Sequence, residues 1–461
     1  MQNEVFDVVV LGGGAGGVPA AIRAAQLGGR VAVIEARDLG GLCMNRGCIP
    51  FGHMGVAAGI LGSLSLGREM GLDFEGGSRN YAALRKRQSE LITFMREGVK
   101  GLLGKNKVTL VQGKGILAGK GKIHVNGDSL SCQKIILATG STWIKPDFPG
   151  ADLDGVITTD GLLEAEDLPE RVLLYGESQW LIQIGQFLNR FGSQVTLATG
   201  AKGLLARENK TIRTRLTKAL RDQGITVLTR AEITGLTRKK DGLQAALNVK
   251  EKQENLMVDR LVVLKRRAML EGLGLETVGL DAGATHLQVN ERFETGIPGI
   301  YAIGDCAAPE EKQYSHGASS GGIIAAENAM GHPRGAAPQL IPRVLFTQPQ
   351  VACVGLTSKE AKDAGYDVVE GAAPLAMNPL GMILSQTEGL VEIVSEKNYG
   401  ELLGVHIIGE GASEMIGQAV LAIQLEATLE ELARSTFPHP TLSEFLSEAA
   451  RSALGRPIYI P

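Results

Sequence analysis

A near-continuous apolar run, VFDVVVLGGG, passes directly into the turn Gly12-x-Gly14-x-x-Gly17. A helix with Ala and Leu on one face follows, and then the strand RVAVIE, which ends on Glu35. This order of strand, glycine turn, helix, strand and terminal acid constrains the chain more than any other feature. It predicts a βαβ unit whose first strand is buried on both faces in a parallel sheet. The three glycines let backbone approach a pyrophosphate at the helix N-terminus, and the acid takes a ribose hydroxyl. A purely structural tight turn is the bland alternative. It is disfavoured because strand, helix and acid all stand in their places.

The 461 residues suggest roughly three domains at about 100–200 residues each. A second unit, RVLLYGESQWLIQIGQFLNRFGSQVTLAT, again reads as strand, turn, helix, strand. The fold class is therefore α/β, with two Rossmann-like dinucleotide-binding domains plus a C-terminal α+β domain. The expected segments are 1–150, 151–268, 269–337 and 338–461. Residues 36–50 read as a loop, and residues 80–104 as one long amphipathic helix. Glycine is in excess, 61 of 461 residues against a usual ~7%. No low-complexity tract accounts for it, so it serves tight turns and close backbone approach.

Forty-seven basic and 50 acidic side chains nearly cancel, which argues against nucleic acid as a partner. Aromatics are only 4%, too few for base-stacking platforms. No apolar run reaches about 18 residues, so no membrane span is expected. The first apolar run enters a glycine motif at once, unlike a signal peptide, and the chain is expected in the cytoplasm. Five cysteines are too few there for a disulfide scaffold. Cys132, Cys306 and Cys353 are isolated and read as buried small residues. Cys43 and Cys48 form a close C-x-x-x-x-C pair, pointing to redox chemistry or metal. A metal site needs two more ligands at finger-like spacing, and His53 is the only candidate nearby, so no metal is expected. A reactive dithiol beside a dinucleotide points to electron transfer between a flavin and a disulfide.

The segments GGGAGG, GGLCMNRGCIP, ATG, GIYAIGD, LLGVHIIGEGASEMIGQAVLAI and HPTLSEFLSEAA resemble the dihydrolipoamide dehydrogenase branch of the flavin disulfide oxidoreductases along the whole chain. The resemblance implies bound FAD, a homodimer and a dithiol substrate such as a lipoyl group on a carrier protein. It assigns 1–150 and 269–337 to an FAD domain in two segments, 151–268 to an NAD-type domain, and 338–461 to the dimer interface. Gly12, Gly14, Gly17 and Glu35 match the FAD diphosphate and ribose contacts. Thr139 and Gly140 match a loop at the flavin, and Asp305 matches an acid near the ribityl chain. Cys43 would exchange with substrate, and Cys48 would form the charge-transfer thiolate. His439, oriented by Glu444, would act as acid–base on the other subunit's disulfide. A carboxylate-held histidine suits that work near neutral pH, because the thiolate is the reacting form. Mercuric reductases and large thioredoxin reductases carry a C-terminal cysteine pair, whereas the last cysteine here is Cys353. A glutathione reductase would be expected to lack HPTLSE.

Four departures fall on one side of the flavin. Where the family's NAD domain repeats G-x-G-x-x-G, this chain has Gly176, Ser178 and Leu181, and a branched side chain at 181 would obstruct the pyrophosphate. The ribose acid is replaced by Thr199, and Lys202 is the only cation nearby. The family's G-R-x-P-N turn reads Lys265-Arg266-Arg267-Ala268-Met269. A lysine–glutamate pair at the flavin is replaced by Gly52 and Gln183. These losses predict weak or absent NAD use, with a redox protein as a candidate electron partner. Two alternatives remain: an ordinary NAD-dependent dihydrolipoyl dehydrogenase with a divergent loop, and a non-catalytic FAD-stabilised subunit. The retained Cys43, Cys48, His439 and Glu444 argue against the last. His53 reads as packed rather than flavin-facing, His316 as structural, and His406 as one of a strand. Lys265, Arg266 and Arg267 read as an exposed basic turn rather than a docking patch.

Overall fold

The computed structural model describes residues 5–73, 79–337, 340–386 and 388–461. The boundary expected at residue 338 lies outside them. β1 (Val5–Leu11) is paired in parallel with β2 (Val31–Glu35) on one side and with the strand Asp128–Leu137 on the other. β3 (Thr109–Gln112) extends the sheet beyond β2, and Ile300–Ala302 pairs in parallel with Asp128–Leu137. Val8, Val9 and Val10 are fully buried, because helices or other layers cover both faces of the sheet. α1 (Gly17–Gln26) buries Ala20, Ala21 and Ala24 against it. A strand and a helix from beyond residue 300 thus complete a layer begun at residue 5.

Where a loop was expected after β2, the chain forms α2 (Gly41–Arg46) and α3 (Cys48–Glu69). Gly40 and Gly41 turn the chain at φ +91° and +59°, a conformation that glycine adopts without penalty. Gly47 separates the two helices. The stretch Gly41–Glu69 also has the length and apolarity of a membrane span, which a search for unbroken apolar runs does not register. Here it carries both cysteines of the close pair and walls a cleft. α4 spans Tyr81–Lys105, close to the expected 80–104.

α5 (Thr159–Glu164) follows the first strand of a second parallel sheet, whose order is 226–229, 194–199, 171–176, 260–264 and 156–157. α6 (Trp180–Phe191) and α7 (Lys210–Asp222) belong to this unit. An antiparallel meander, 231–258, leaves the second sheet and returns. Arg266–Ala268 pairs with Ser141–Trp143, where the chain passes back to the first unit. α8 (Ser315–Ala329) lies against α1, and a Cβ on Gly322 would come within 2.3 Å of the Gly16 carbonyl. Five antiparallel strands between 343 and 409, covered by helices 412–424, 429–434 and 444–453, form the C-terminal unit.

Glu208, just before α7, reaches the C-terminal unit and takes both arms of Arg343 at 2.6 and 3.0 Å. Burial alone would raise the Glu208 carboxyl, but the Arg343 hydrogen bonds outweigh it and hold the group below the usual range. His406 is fully buried beside the pair, and that burial pushes its pKa down. Glu208, Cys353 and His406 place three potential metal-ligating atoms within 4.8 Å of one another. The guanidinium already occupies both Glu208 oxygens, so the cluster acts as an ion-paired latch between units. Removing one partner of such a pair strands a buried charge, at about 3–5 kcal/mol. Arg343→Met is expected to lower the unfolding free energy by that order, and Glu208→Met/Arg343→Met to recover most of the loss. Equal destabilisation of both variants in thermal unfolding would contradict the latch.

Candidate active site

A cleft of about 1620 Å³ is lined by Gly12, Gly14, Glu35, Cys43, Cys48, Thr139, Gly140 and Asp305. Gly17 lies behind it. A Cβ on Gly17 would stand 1.8 Å from the Gly12 carbonyl oxygen, and one on Gly12 (φ +108°) 2.3 Å from that of Ala138. Only glycine permits these approaches, and they bring the start of α1 up to the cleft. A Cβ on Gly41 would come 2.9 Å from the Gly14 Cα, so α2 is seated backbone-on-backbone over the turn. Glu35 accepts from the Gly13 and Arg37 amides, both at 2.7 Å, which fixes its carboxylate at the rim. The buried Thr139 hydroxyl faces the Cys306 thiol behind the cleft. Asp305 is held by the Ser141 hydroxyl at 2.6 Å and by Arg266 at 3.1 Å. A glycine cradle at a helix N-terminus and a rim carboxylate fit a dinucleotide such as FAD.

Cys43 in α2 and Cys48 at the start of α3 are half-buried free thiols facing this cleft. A hydrogen bond from Cys43 holds the Cys48 thiol down at about 7 against its burial, and Ser315 adds to the lowering. The same hydrogen bond, together with burial, pushes Cys43 far up. Cys48 is therefore the sulfur that ionises first. Arg46 at the end of α2 is tied to Asp160 in α5 at 3.1 Å.

His439 and Glu444 are not among the residues lining the cleft. They stand on the C-terminal unit, where Glu444 takes the His439 Nδ1 at 3.0 Å and the Thr441 amide at 2.9 Å. The His439 side chain is 66% exposed and that of Glu444 21%. The imidazole is thus presented outward on an anchored carboxylate.

At the second glycine turn, a Cβ on Gly176 (φ +152°) would meet the Leu264 carbonyl at 2.4 Å, so the first glycine keeps its structural reason. The rest of the turn is filled from within. Leu181 is buried in the core, its amide bonded to the Ser178 carbonyl at 3.0 Å. Thr199 is buried, and its hydroxyl accepts from the Ala201 amide at 3.2 Å. The Glu177 carboxylate reaches toward Gly200. Burial raises the nearby Glu310, with Glu177 adding to the shift. Lys265 and Arg266 also act on Glu310, so Glu177 is the carboxylate at this turn without an ion pair among the described residues. Gly52 and Gln183 both line the cleft, and nothing lies within 4 Å of a Cβ built on Gly52.

Arg266 differs from its expected place, whereas Lys265, Arg267 and His53 do not. Arg266 is not part of an exposed turn: it lies in a paired strand, with its guanidinium on Asp305 and over the Trp143 ring at 5.5 Å. Lys265 and Arg267 are exposed. His53 does not line the cleft; burial and then Arg87 of α4 push its pKa down. His316 is exposed and contacts the Pro342 carbonyl at 2.7 Å. Sequence reasoning missed Gly41, Ser141, Arg266 and Ser315. Only the doubled glycine at 40 and 41 offered a signal.

The pyridine nucleotide-disulphide oxidoreductase family model matches residues 6–332, and the dimerisation domain of the same family matches 341–450. A dihydrolipoyl dehydrogenase of Thermus scotoductus is 37% identical over 99% of both chains. One from Bacillus subtilis is 35% identical over 98% of this chain and 99% of its own. Among solved structures, LpdA from Mycobacterium tuberculosis superposes with a TM-score of 0.88 at 24% identity, over 97% of this chain and 99% of that one. The HOCl-induced flavoprotein disulfide reductase RclA from Escherichia coli gives 0.84 at 23%, over 96% and 99%. Below 25% identity, these two likenesses speak to the fold alone.

The close approach at Gly17 leads to a direct test. Gly17→Val is expected to drop flavin absorbance per chain to background in purified protein. Undiminished flavin content would contradict the cradle.

Proposed function

The chain belongs to the pyridine nucleotide-disulphide oxidoreductase family as a dihydrolipoamide dehydrogenase-like flavin disulfide oxidoreductase, and we propose that it oxidises or reduces a dithiol of the protein-bound lipoyl type while using NAD(H) poorly. The observation that carries this reading is the contrast between two sites. The Cys43–Cys48 pair is polarised toward a Cys48 thiolate, whereas the second glycine turn is filled by Leu181 and bordered by Glu177. The names of the relatives, dihydrolipoyl dehydrogenases at 31–37% identity, support the lipoyl substrate.

Bound FAD would supply a two-electron acceptor next to the dithiol, held by Gly12, Gly14, Glu35, Thr139, Gly140 and Asp305. Glu444 on Nδ1 leaves Nε2 of His439 as the free base. That nitrogen, presented by the partner subunit, removes a substrate thiol proton. The thiolate attacks Cys43 Sγ of the oxidised pair, and the Cys43–Cys48 bond breaks with Cys48 leaving as thiolate. The second substrate thiol then gives up its proton as its sulfur displaces Cys43, and the substrate leaves as a disulfide. One of the two protons passes through His439 to the departing Cys43, while the other remains on the imidazole. The thiol and thiolate that result correspond to the ionisation order of the pair described above.

Several charge-assisted hydrogen bonds to a pyrophosphate would be missing at the second turn. At about 1.5–3 kcal/mol each, two or three such losses weaken binding by a hundredfold or more. The second electron partner is then another acceptor, with a redox protein the leading class. The whole-length likeness to dihydrolipoyl dehydrogenases favours the rival reading, a working NAD enzyme with a divergent loop. Stopped-flow mixing separates the two. Millimolar NADH is expected to leave the flavin oxidised; rapid bleaching at micromolar NADH would restore the NAD enzyme.

The shared site has its own test. Heterodimers of Cys43→Ser and His439→Ala subunits are expected to regain one intact site in two. Heterodimers that form but recover no dithiol activity would contradict the placement of His439.

A further inference from the structure

Ser315 is the first residue of α8, a 15-residue helix whose N-cap residue, Tyr314, makes no side-chain cap bond. The Ser315 hydroxyl lies 3.0 Å from the Cys48 sulfur. The residue before it, Tyr314, is extended at φ −121° and ψ 136°, so α8 begins at Ser315, beside the sulfur. Three groups bear on Cys48 from the elements packed around it. Cys43 comes from α2, Ser315 from α8, and Asp305 from the segment after Ile300–Ala302. Asp305 opposes ionisation as a like charge, but its carboxylate is already engaged by Ser141 and Arg266.

We propose that Ser315 is a positioning residue for the redox dithiol, its hydroxyl donating to the Cys48 sulfur and so fixing and stabilising the thiolate of the reduced pair. This rests on the reading of Cys43 and Cys48 as the redox pair. A serine hydroxyl can donate to a thiolate but gains far less from a disulfide sulfur, so the bond favours the reduced, ionised state. It also complements the Cys43 thiol on the other side of the sulfur. Two donors then hold one anion, and the thiolate stays formed after substrate has left and Cys43 has regained its proton. A hydrogen bond to the charged form lowers a pKa, so its removal must raise it.

The test uses FAD-loaded enzyme reduced anaerobically with dihydrolipoamide, following the long-wavelength thiolate–flavin absorption against pH. Ser315→Ala is expected to move the midpoint of that absorption upward by about one pH unit. Ser315→Thr, which keeps the hydroxyl, is expected to stay close to the parent. Alkylation of the reduced pair by iodoacetamide should shift its pH dependence in the same direction. An unchanged midpoint in Ser315→Ala overturns the proposal, and so does a Thr variant that shifts as far as Ala, since that would indicate packing rather than the hydrogen bond. Cys48→Ser should lack the absorption altogether. If the parent lacks it too, the redox pair itself is refuted and Ser315 with it.

Discussion

The structure depends on backbone meeting backbone at the first glycine turn. Gly17 packs onto the Gly12 carbonyl, and Gly41 packs onto Gly14. The first contact sets α1 tightly against β1, with its N-terminus facing the cleft. The second contact seats α2 over the same turn, and α2 carries Cys43. The spacing between dinucleotide cradle and dithiol is therefore fixed by four glycines, not by long side chains that could give way. Substitution at any of them would separate or crowd two sites that have to work together.

The two nucleotide-type units use the same architecture to different ends. In the first, the glycines leave room, and Glu35 and Asp305 are held by named partners at the rim. In the second, Leu181 extends the hydrophobic core into the space a third glycine would leave open, and Thr199 spends its hydroxyl on the next turn. This gives the second unit a well-packed core while Glu177 keeps carboxylate near the turn. Gly52 and Gln183 complete the contrast, because neither carries charge and so neither needs a buried counter-ion. The unit remains structurally integrated through Arg46–Asp160 and Glu208–Arg343.

Much of this was legible in the sequence because it is local. β1, the glycine turn, α1, β2 and Glu35 follow from periodicity and spacing, and α4 follows from its apolar period within one residue at each end. α2 was not legible as a helix, nor was the full length of α3. Their glycines mimic a loop, and what makes them helical is packing of α3 against α6 and α4 and of α2 against α3, which no local pattern records. Arg266 looked like one of three exposed bases; only the pairing of its strand with Ser141–Trp143 turns it onto Asp305. Ser315 gives no signal of its own, because its sulfur partner lies 267 residues away. His439 and Glu444 were legible as a pair, and the structure joins them at 3.0 Å.

The central claim is the asymmetry between a competent dithiol and a closed nicotinamide site. The most direct measurement is one anaerobic titration of the flavin-loaded protein, first with dihydrolipoamide and then with NAD⁺, recording the full flavin spectrum. The account requires the dithiol to produce the thiolate–flavin absorption, and requires millimolar NAD⁺ to leave that absorption in place. Return of the oxidised flavin spectrum on adding stoichiometric NAD⁺ would contradict it.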